Sequence, residues 1–316
     1  MKNFEILIID DGSEKINATF LDDLKDDRLR VEHVPNAGVS KARNIGISMA
    51  SGTYLTFVDA DDIISPTMLE EALLVIESEG ADMIVGCIKK TENTGMLFSN
   101  SRDVIVNTYD VNKDCDLLLR SVFSSELISS CDEDGWTVIM QSPVAKVIKR
   151  TFLEEVYFPE GIAISEDTIW NYKLIAKKRE KAKISVSNYK WYKYIQNADS
   201  VLHTYTEDLV LKINQAVSML NVYVFQEEGH YSEDYIKWLI GKMQQIIDDY
   251  LLNELHMESL LKKSKYFLDV INNPAFSVIR NLPKKSSIRL KLKICLLKSG
   301  LAIYYYNLKK KIITVN

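Results

Sequence analysis

Three short acidic clusters carry the side chains best suited to chemistry: Asp10-Asp11, Asp59-Ala60-Asp61-Asp62 and Glu166-Asp167. Carboxylates are hard oxygen donors, so paired aspartates can hold a divalent cation or a polar ligand. A carboxylate beside a hydroxyl can also serve as a general base. The first two clusters each follow a short apolar run, Phe4 to Ile9 and Tyr54 to Val58. Branched apolar runs of this length read as buried strands. Glu166-Asp167 instead opens a helical stretch that continues through Ala176. Aspartates also cap turns, and acids in a first helical turn complement the helix dipole. Spacing by itself leaves both readings open.

The elements that must position these clusters alternate along the chain. Ile16, Phe20, Leu21 and Leu24 recur at helical spacing, and Leu29 to Val34 alternates as a second strand. Ser40 is placed to cap a helix running to about Ala50, and Gly52 to stop it. Ser65-Pro66 opens the next helix, Gly80 ends it, and Met83 to Ile88 reads as a fourth strand. This order predicts an α/β fold with a mostly parallel sheet, in which ligands gather at the carboxyl ends of strands. Both aspartate clusters fall on that edge. Residues 90–165 are harder to read, apart from helical character at Asp110 to Phe123 and a Phe158-Pro159-Glu160-Gly161 turn. Ile184 to Ile195 alternates as an aromatic-rich strand, and helices are predicted at 205–228, 233–255 and 257–272.

Of the 316 residues, 47% are hydrophobic and 26% charged, a globular balance that excludes a disordered chain. The cysteines (Cys87, Cys115, Cys131, Cys295) form no CxxC pair, which argues against a zinc site or a disulfide framework and fits a reducing compartment. The opening apolar run is shorter than a signal peptide's core and has no small-residue cleavage site, so none is expected there, and no apolar stretch is long enough to span a membrane. The net charge of −5 conceals an asymmetry: residues 280–316 hold ten Lys/Arg and no acid, whereas residues 1–279 sum to −15. Apolar residues interleave with the basic ones, from Ile288 to Tyr304-Tyr305-Tyr306. This combination suits an interfacial membrane anchor or, alternatively, a basic packing or oligomer helix. No feature calls for nucleic acid.

Four segments occur in order: Asp10-Asp11-Gly12-Ser13, NAGVSKARNIGISMASGTYLTFVDADD at 36–62, FPEGIAISED at 158–167 and YKYIQNADSVLH at 192–203. Together they resemble the inverting family 2 glycosyltransferases over about residues 3–203. The resemblance implies a GT-A (Rossmann-like) nucleotide-sugar-binding domain at 1–203. A helical region at 204–316, with its basic tail at 280–316, lies beyond it. The implied reaction moves a hexose or N-acetylhexosamine from a UDP-sugar donor to a glycan acceptor. A lipid-linked acceptor in bacterial capsule, O-antigen or exopolysaccharide assembly would explain the tail. The protein would then be cytoplasmic and peripheral at the inner face of the plasma membrane.

The resemblance also assigns roles. Asp59-Ala60-Asp61 is similar to the family's DxD motif. Asp61 would ligate Mn2+ or Mg2+, Asp59 would contact the ribose or a metal-bound water, and Asp62 would belong to the following turn. Asp11 would face the uracil ring N–H, with Asp10 beside it in the donor site satisfying turn N–H groups. Arg43 would reach phosphate or a base carbonyl, or else pair with Asp10 or Asp11. Asp167 would be the catalytic base. Glu166 would bind acceptor hydroxyls or raise the pKa of its neighbour. His203 would stand with the metal at the diphosphate. Trp191, Tyr192 and Tyr194 are candidates for stacking on an acceptor sugar or for core packing.

One departure matters. Family members usually begin with a further strand and helix before the segment that starts here at Asn3. Without them the strand at 4–9 is expected to have an unpaired edge. That leads to an expectation of low or no activity for this chain, and to an alternative reading as an inactive remnant or a non-catalytic partner subunit.

Overall fold

The computed structural model describes residues 3–92, 94–95, 98, 103–129, 132, 134–177, 181–196, 206–280 and 286–313. It divides into two compact units, Met1–Asn197 and Ala198–Asn316. In the first unit the elements run β1 (Ile6–Asp11), α1 (Lys15–Asp22), β2 (Leu29–Val34), α2 (Val39–Met49), β3 (Tyr54–Leu55), β4 (Ile63–Ile64) and α3 (Met68–Glu79). They continue with β5 (Met83–Thr91), β6 (Val106–Asp110), α4 (Cys115–Ser121), β7 (Thr137–Val138), β8 (Lys146–Lys149), α5 (Arg150–Leu153), α6 (Glu166–Ala176) and β9 (Lys183–Ile195).

The α/β class expected from the alternation is present, but the sheet is mixed rather than mostly parallel. β1 and β2 pair in parallel as a two-stranded sheet of their own. The larger sheet has the order β3-β8-β5-β9-β4, with β6 on β9 and β7 on β5. Of its strand pairs, β5–β9 is parallel, and the pairs β3–β8, β4–β9, β5–β7, β5–β8 and β6–β9 are antiparallel. The parallel expectation extrapolated from residues 4–88. The strands β6, β7 and β8 come from the middle of the chain, where periodicity is weak.

Two local expectations also change. The strand expected at 54–58 is regular only at Tyr54–Leu55, with Phe57 bridging to Val144. Ser40 does not cap α2. The helix starts after Gly38, whose φ of 90° suits a residue without Cβ, and Ser40 lies inside it, buried. The loop entering α2 is held instead by Asp11, whose two carboxylate oxygens accept from the N–H groups of Ala37 and Gly38 at 2.8 Å each.

The core of the first unit lies between α3 and the larger sheet. Met68, Ala72, Val75 and Ile76 are buried with Ile84, Val147 and Trp191. Gly86 on β5 allows this packing: a Cβ there would come within 2.3 Å of the Trp191 ring. On the next stretch Ile88, Val144, Ala145 and Tyr192 are buried together, with Phe57 against them.

The second unit is helical: α7 (Leu209–Glu228), α8 (Glu233–Gln245), a π-helical turn at Ile246–Leu251, α9 (Leu260–Asn272), a 3-10 segment at Pro274–Arg280, α10 (Ile288–Lys298) and α11 (Ala302–Ile313). Ser232, Ser259 and Ser287 cap α8, α9 and α10 by accepting from backbone N–H groups three residues on. In the basic tail, Leu290, Ile294, Leu297, Ala302, Ile303 and Tyr306 are buried, while Ile288, Leu292, Leu301, Tyr305 and Leu308 are exposed.

Candidate active site

Arg43 organises the site. It sits in the second turn of α2, with only 11% of its side chain exposed. Its Nη1 donates to Asp167 Oδ1 at 2.6 Å and its Nη2 to Asp59 Oδ1 at 3.0 Å. Glu166 Oε1 lies 3.9 Å from Nη1. One planar guanidinium thus joins the helix, the acidic turn after Tyr54 to Val58 and the first turn of α6. This fork geometry is what arginine supplies and lysine does not. Of the two options for Arg43, pairing with Asp10 or Asp11 is not what the structure shows.

An aromatic platform fixes the height of that guanidinium, which lies over the Phe158 ring at 5.2 Å. Phe158 stacks on Trp170 of α6 at 4.4 Å, and Phe57 meets both rings edge-on at 5.5 and 5.6 Å. Asn44 locks the Phe158-Pro159-Glu160-Gly161 turn to α2. Its Nδ2 donates to the Phe158 carbonyl at 3.0 Å and to Glu160 Oε1 at 3.2 Å, and its Oδ1 accepts from the Phe158 N–H at 2.8 Å. The sequence segments at 36–62 and 158–167 therefore meet through Arg43 and Asn44.

The acidic turn is held from the sheet. The buried Tyr192 hydroxyl accepts from the Asp59 N–H at 3.0 Å and donates to Asp62 Oδ2 at 2.7 Å. Asp62 Oδ1 also accepts from the Ile195 N–H at 2.8 Å. Asp62 thus fastens the turn to β9. Tyr192, a candidate for sugar stacking, is a buried support for the turn, and Trp191 is core. Asp59 keeps 36% of its side chain exposed, and Asp61 is exposed at the tip.

Asp167 stands in the first turn of α6, after Ser165 in the left-handed region at φ 64°. Backbone strain of this kind concentrates at functional sites. The Asp167 carboxyl is pushed up to about 7, first by burial, which Arg43 opposes and the like charges of Glu166 and Asp59 reinforce. A carboxyl that changes charge near neutrality is poised for proton transfer.

The remaining expected residues lie elsewhere. Asp10 is buried, accepts from the Ser13 N–H at 2.9 Å and is 2.6 Å from His33 Nδ1. Asp11 holds the loop before α2, as described above. His203 lies outside the described residues. Among the described residues no three His, Cys, Asp or Glu gather into a metal-binding group. The exposed carboxylate of Asp61 suits a cation that takes its other oxygen ligands from phosphates and water, the usual habit of Mg2+. Asn44, which ties the 158–161 turn to α2, was not singled out by the sequence reading although it stands inside the 36–62 segment.

The chain is similar to several known proteins. Residues 1–156 match the family model described as glycosyl transferase family 2. Glycosyltransferase GlyG of Streptococcus pneumoniae serotype 4 is 28% identical over 210 residues, 64% of either chain. The uncharacterized glycosyltransferase EpsJ of Bacillus subtilis is 39% identical over 89 residues, covering 28% of this chain and 26% of that protein. The match spans less than two thirds of either relative's length. Residues 1–349 of S. aureus TarS, solved in complex with UDP-GlcNAc, superpose with a TM-score of 0.58 at 19% identity, over 96% of this chain and 80% of that one. That likeness is one of fold.

Proposed function

We propose that the chain, whose residues 1–156 match the glycosyl transferase family 2 model and whose fold is like that of S. aureus TarS, transfers a sugar from a UDP-sugar donor to a glycan hydroxyl with inversion. The observation that carries this reading is the Arg43 fork between Asp59 and Asp167. It brings the acidic turn expected at the donor to the carboxyl expected at the acceptor.

In this reading the acceptor oxygen attacks the anomeric carbon from the face opposite the diphosphate. The new C–O bond forms as the bond to the diphosphate oxygen breaks, and UDP leaves with that electron pair. The acceptor proton passes to Asp167. Arg43 holds one oxygen of that carboxyl, which fixes its direction. Glu166 stands beside it for acceptor hydroxyls. Asp61 would hold a divalent cation, Mn2+ or Mg2+, whose chemistry when bound is to neutralise the diphosphate as a Lewis acid. Asp59 is assigned to the ribose or to a metal-bound water. Asp11 and Asp10 support the β1 end of the donor side, and His203 is assigned to the diphosphate.

The donor sugar is proposed as a hexose or N-acetylhexosamine. The TarS structure with UDP-GlcNAc supports a UDP-sugar. The acceptor is proposed to be a lipid-linked glycan in bacterial polysaccharide assembly. No helix of the described residues is long and apolar enough to cross a membrane. The exposed apolar residues of α10 and α11, set among Arg289, Lys291, Lys298 and Lys309, suit peripheral contact with an anionic bilayer at the cytoplasmic face. Calorimetric titration of UDP tests the donor side. Binding should strengthen with Mn2+ in the parent chain and lose that dependence in Asp61→Ala. Metal dependence that survives in Asp61→Ala overturns the assignment of the acidic turn.

A further inference from the structure

Lys146, the first residue of β8, has no solvent exposure. Its Nζ donates to the Met140 carbonyl at 2.8 Å and to Asn171 Oδ1. Among the described residues, no carboxylate closes to ion-pair distance with it. A buried ammonium held by neutral oxygens is costly, and an apolar side chain of similar length would pack there without that cost. The arrangement therefore asks for a reason beyond packing.

The contacts lead to α6. Asn171 is itself buried and lies one turn after Asp167. Its Nδ2 donates to the Asp167 backbone carbonyl at 2.9 Å and to the Gln141 carbonyl at 2.9 Å. Lys146 thus reaches the turn that carries Asp167 through a single side chain. The backbone is strained on both sides of this link: Ala145 has φ 56° and Ser165 has φ 64°. Non-glycine residues in that region cost about 1–3 kcal/mol each and persist only where the surroundings impose them.

We propose that Lys146 is a positioning residue for Asp167. Through Asn171 it fixes the first turn of α6, and its buried charge sets the pH at which Asp167 gives up its proton. This inference rests on Asp167 being the base. The charged groups around Asp167 are Arg43 from α2, Asp59 from the acidic turn, Glu166 on α6 and Lys146 from β8. Arg43 stays charged at any working pH, and the two acids oppose ionisation of Asp167. Lys146 is the cation of this group that can titrate. Burial pushes its ammonium down to about 7, and the Asp167 charge opposes that fall. The two groups therefore exchange protons in one pH window and titrate as a pair.

Carboxyl NMR of the full chain labelled with 13C-aspartate tests this directly. The Asp167 signal is identified by its absence in Asp167→Asn. Lys146→Gln keeps an N–H donor for the Met140 carbonyl and Asn171 but removes the charge. The Asp167 midpoint should rise by about one unit or more, the usual effect of losing a nearby opposite charge. Lys146→Arg keeps a charge that does not titrate, and the midpoint should fall. A purely structural lysine would leave the midpoint where it was. An unchanged midpoint in both variants overturns the inference, and if Lys146→Gln does not fold, the arginine variant decides by the same criterion. Failure of the base assignment reads out separately: Asp167→Asn would then release UDP from UDP-sugar at the parent rate.

Discussion

Arg43 Nη1 lies 2.6 Å from Asp167 Oδ1, although 124 residues separate the two in the chain. The same guanidinium holds Asp59 at 3.0 Å. The carboxylates of Asp59 and Asp167 are therefore not independent. Any motion of α2 that shifts Arg43 moves both.

Arg43→Lys should separate charge from geometry. The cation remains, but a point charge cannot bridge two carboxylates that a planar fork holds. UDP release should fall at least about tenfold, while the melting temperature stays near that of the parent. Arg43→Ala should in addition lower stability by about 2 kcal/mol in urea unfolding. This is less than the 3–5 kcal/mol of a fully buried pair, because Asp59 and Asp167 still reach solvent. Parent-like turnover in Arg43→Lys would remove the bridge from the mechanism.

The contact between β1 and β2 predicts a pH window for stability. His33 Nδ1 is 2.6 Å from Asp10 Oδ2, and Nε2 is 3.1 Å from Asp22 Oδ1. These bonds raise the histidine above its ordinary value, and the bonds from Ser13 and His33 lower Asp10 below its own. The histidine contribution is complete below its unfolded pKa of about 6.5 and is lost as pH rises through the higher folded value. The aspartate contribution is complete above about 3.9 and is lost as pH falls through the lower folded value. Thermal unfolding should therefore be latest between those limits. His33→Asn should flatten the alkaline side and reduce the acid side, where the Ser13 bonds to Asp10 remain, and an unchanged profile in that variant would show that the pair contributes nothing.

The tail predicts a membrane preference. Full-length protein should sediment with vesicles containing phosphatidylglycerol and not with pure phosphatidylcholine, and added salt should weaken the association. Reversing two exposed charges, Lys298→Glu with Lys309→Glu, should weaken it at least about tenfold. Leu292→Ser with Leu308→Ser should weaken it without changing its salt dependence. Absence of binding to either vesicle type would leave α10 and α11 as packing helices.

Local order was legible in the sequence wherever periodicity and end signals agreed. The strand at Leu29–Val34 and the helix after Ser165 appear where spacing puts them. Glu166, Asp167, Arg43 and Asp59 were named from short motifs, and the structure gathers them. Sheet direction was not legible, because it depends on which strands of residues 106–149 return to β5, and side-chain alternation carries no sign of direction. The same limit hid Lys146. Burial of a lysine is decided by the packing of β8 against α6, not by its neighbours in the chain. Asp11 shows the reverse case: a carboxylate at a strand end reads as a ligand, yet here its oxygens also secure the backbone before α2.

The proposed reaction depends above all on Asp167 taking the acceptor proton. Release of UDP from UDP-sugars by Asp167→Asn, compared with the parent chain and paired with UDP calorimetry, tests it most directly. Turnover should fall about 10²- to 10⁴-fold with UDP affinity unchanged. Turnover at the parent rate in Asp167→Asn would contradict it.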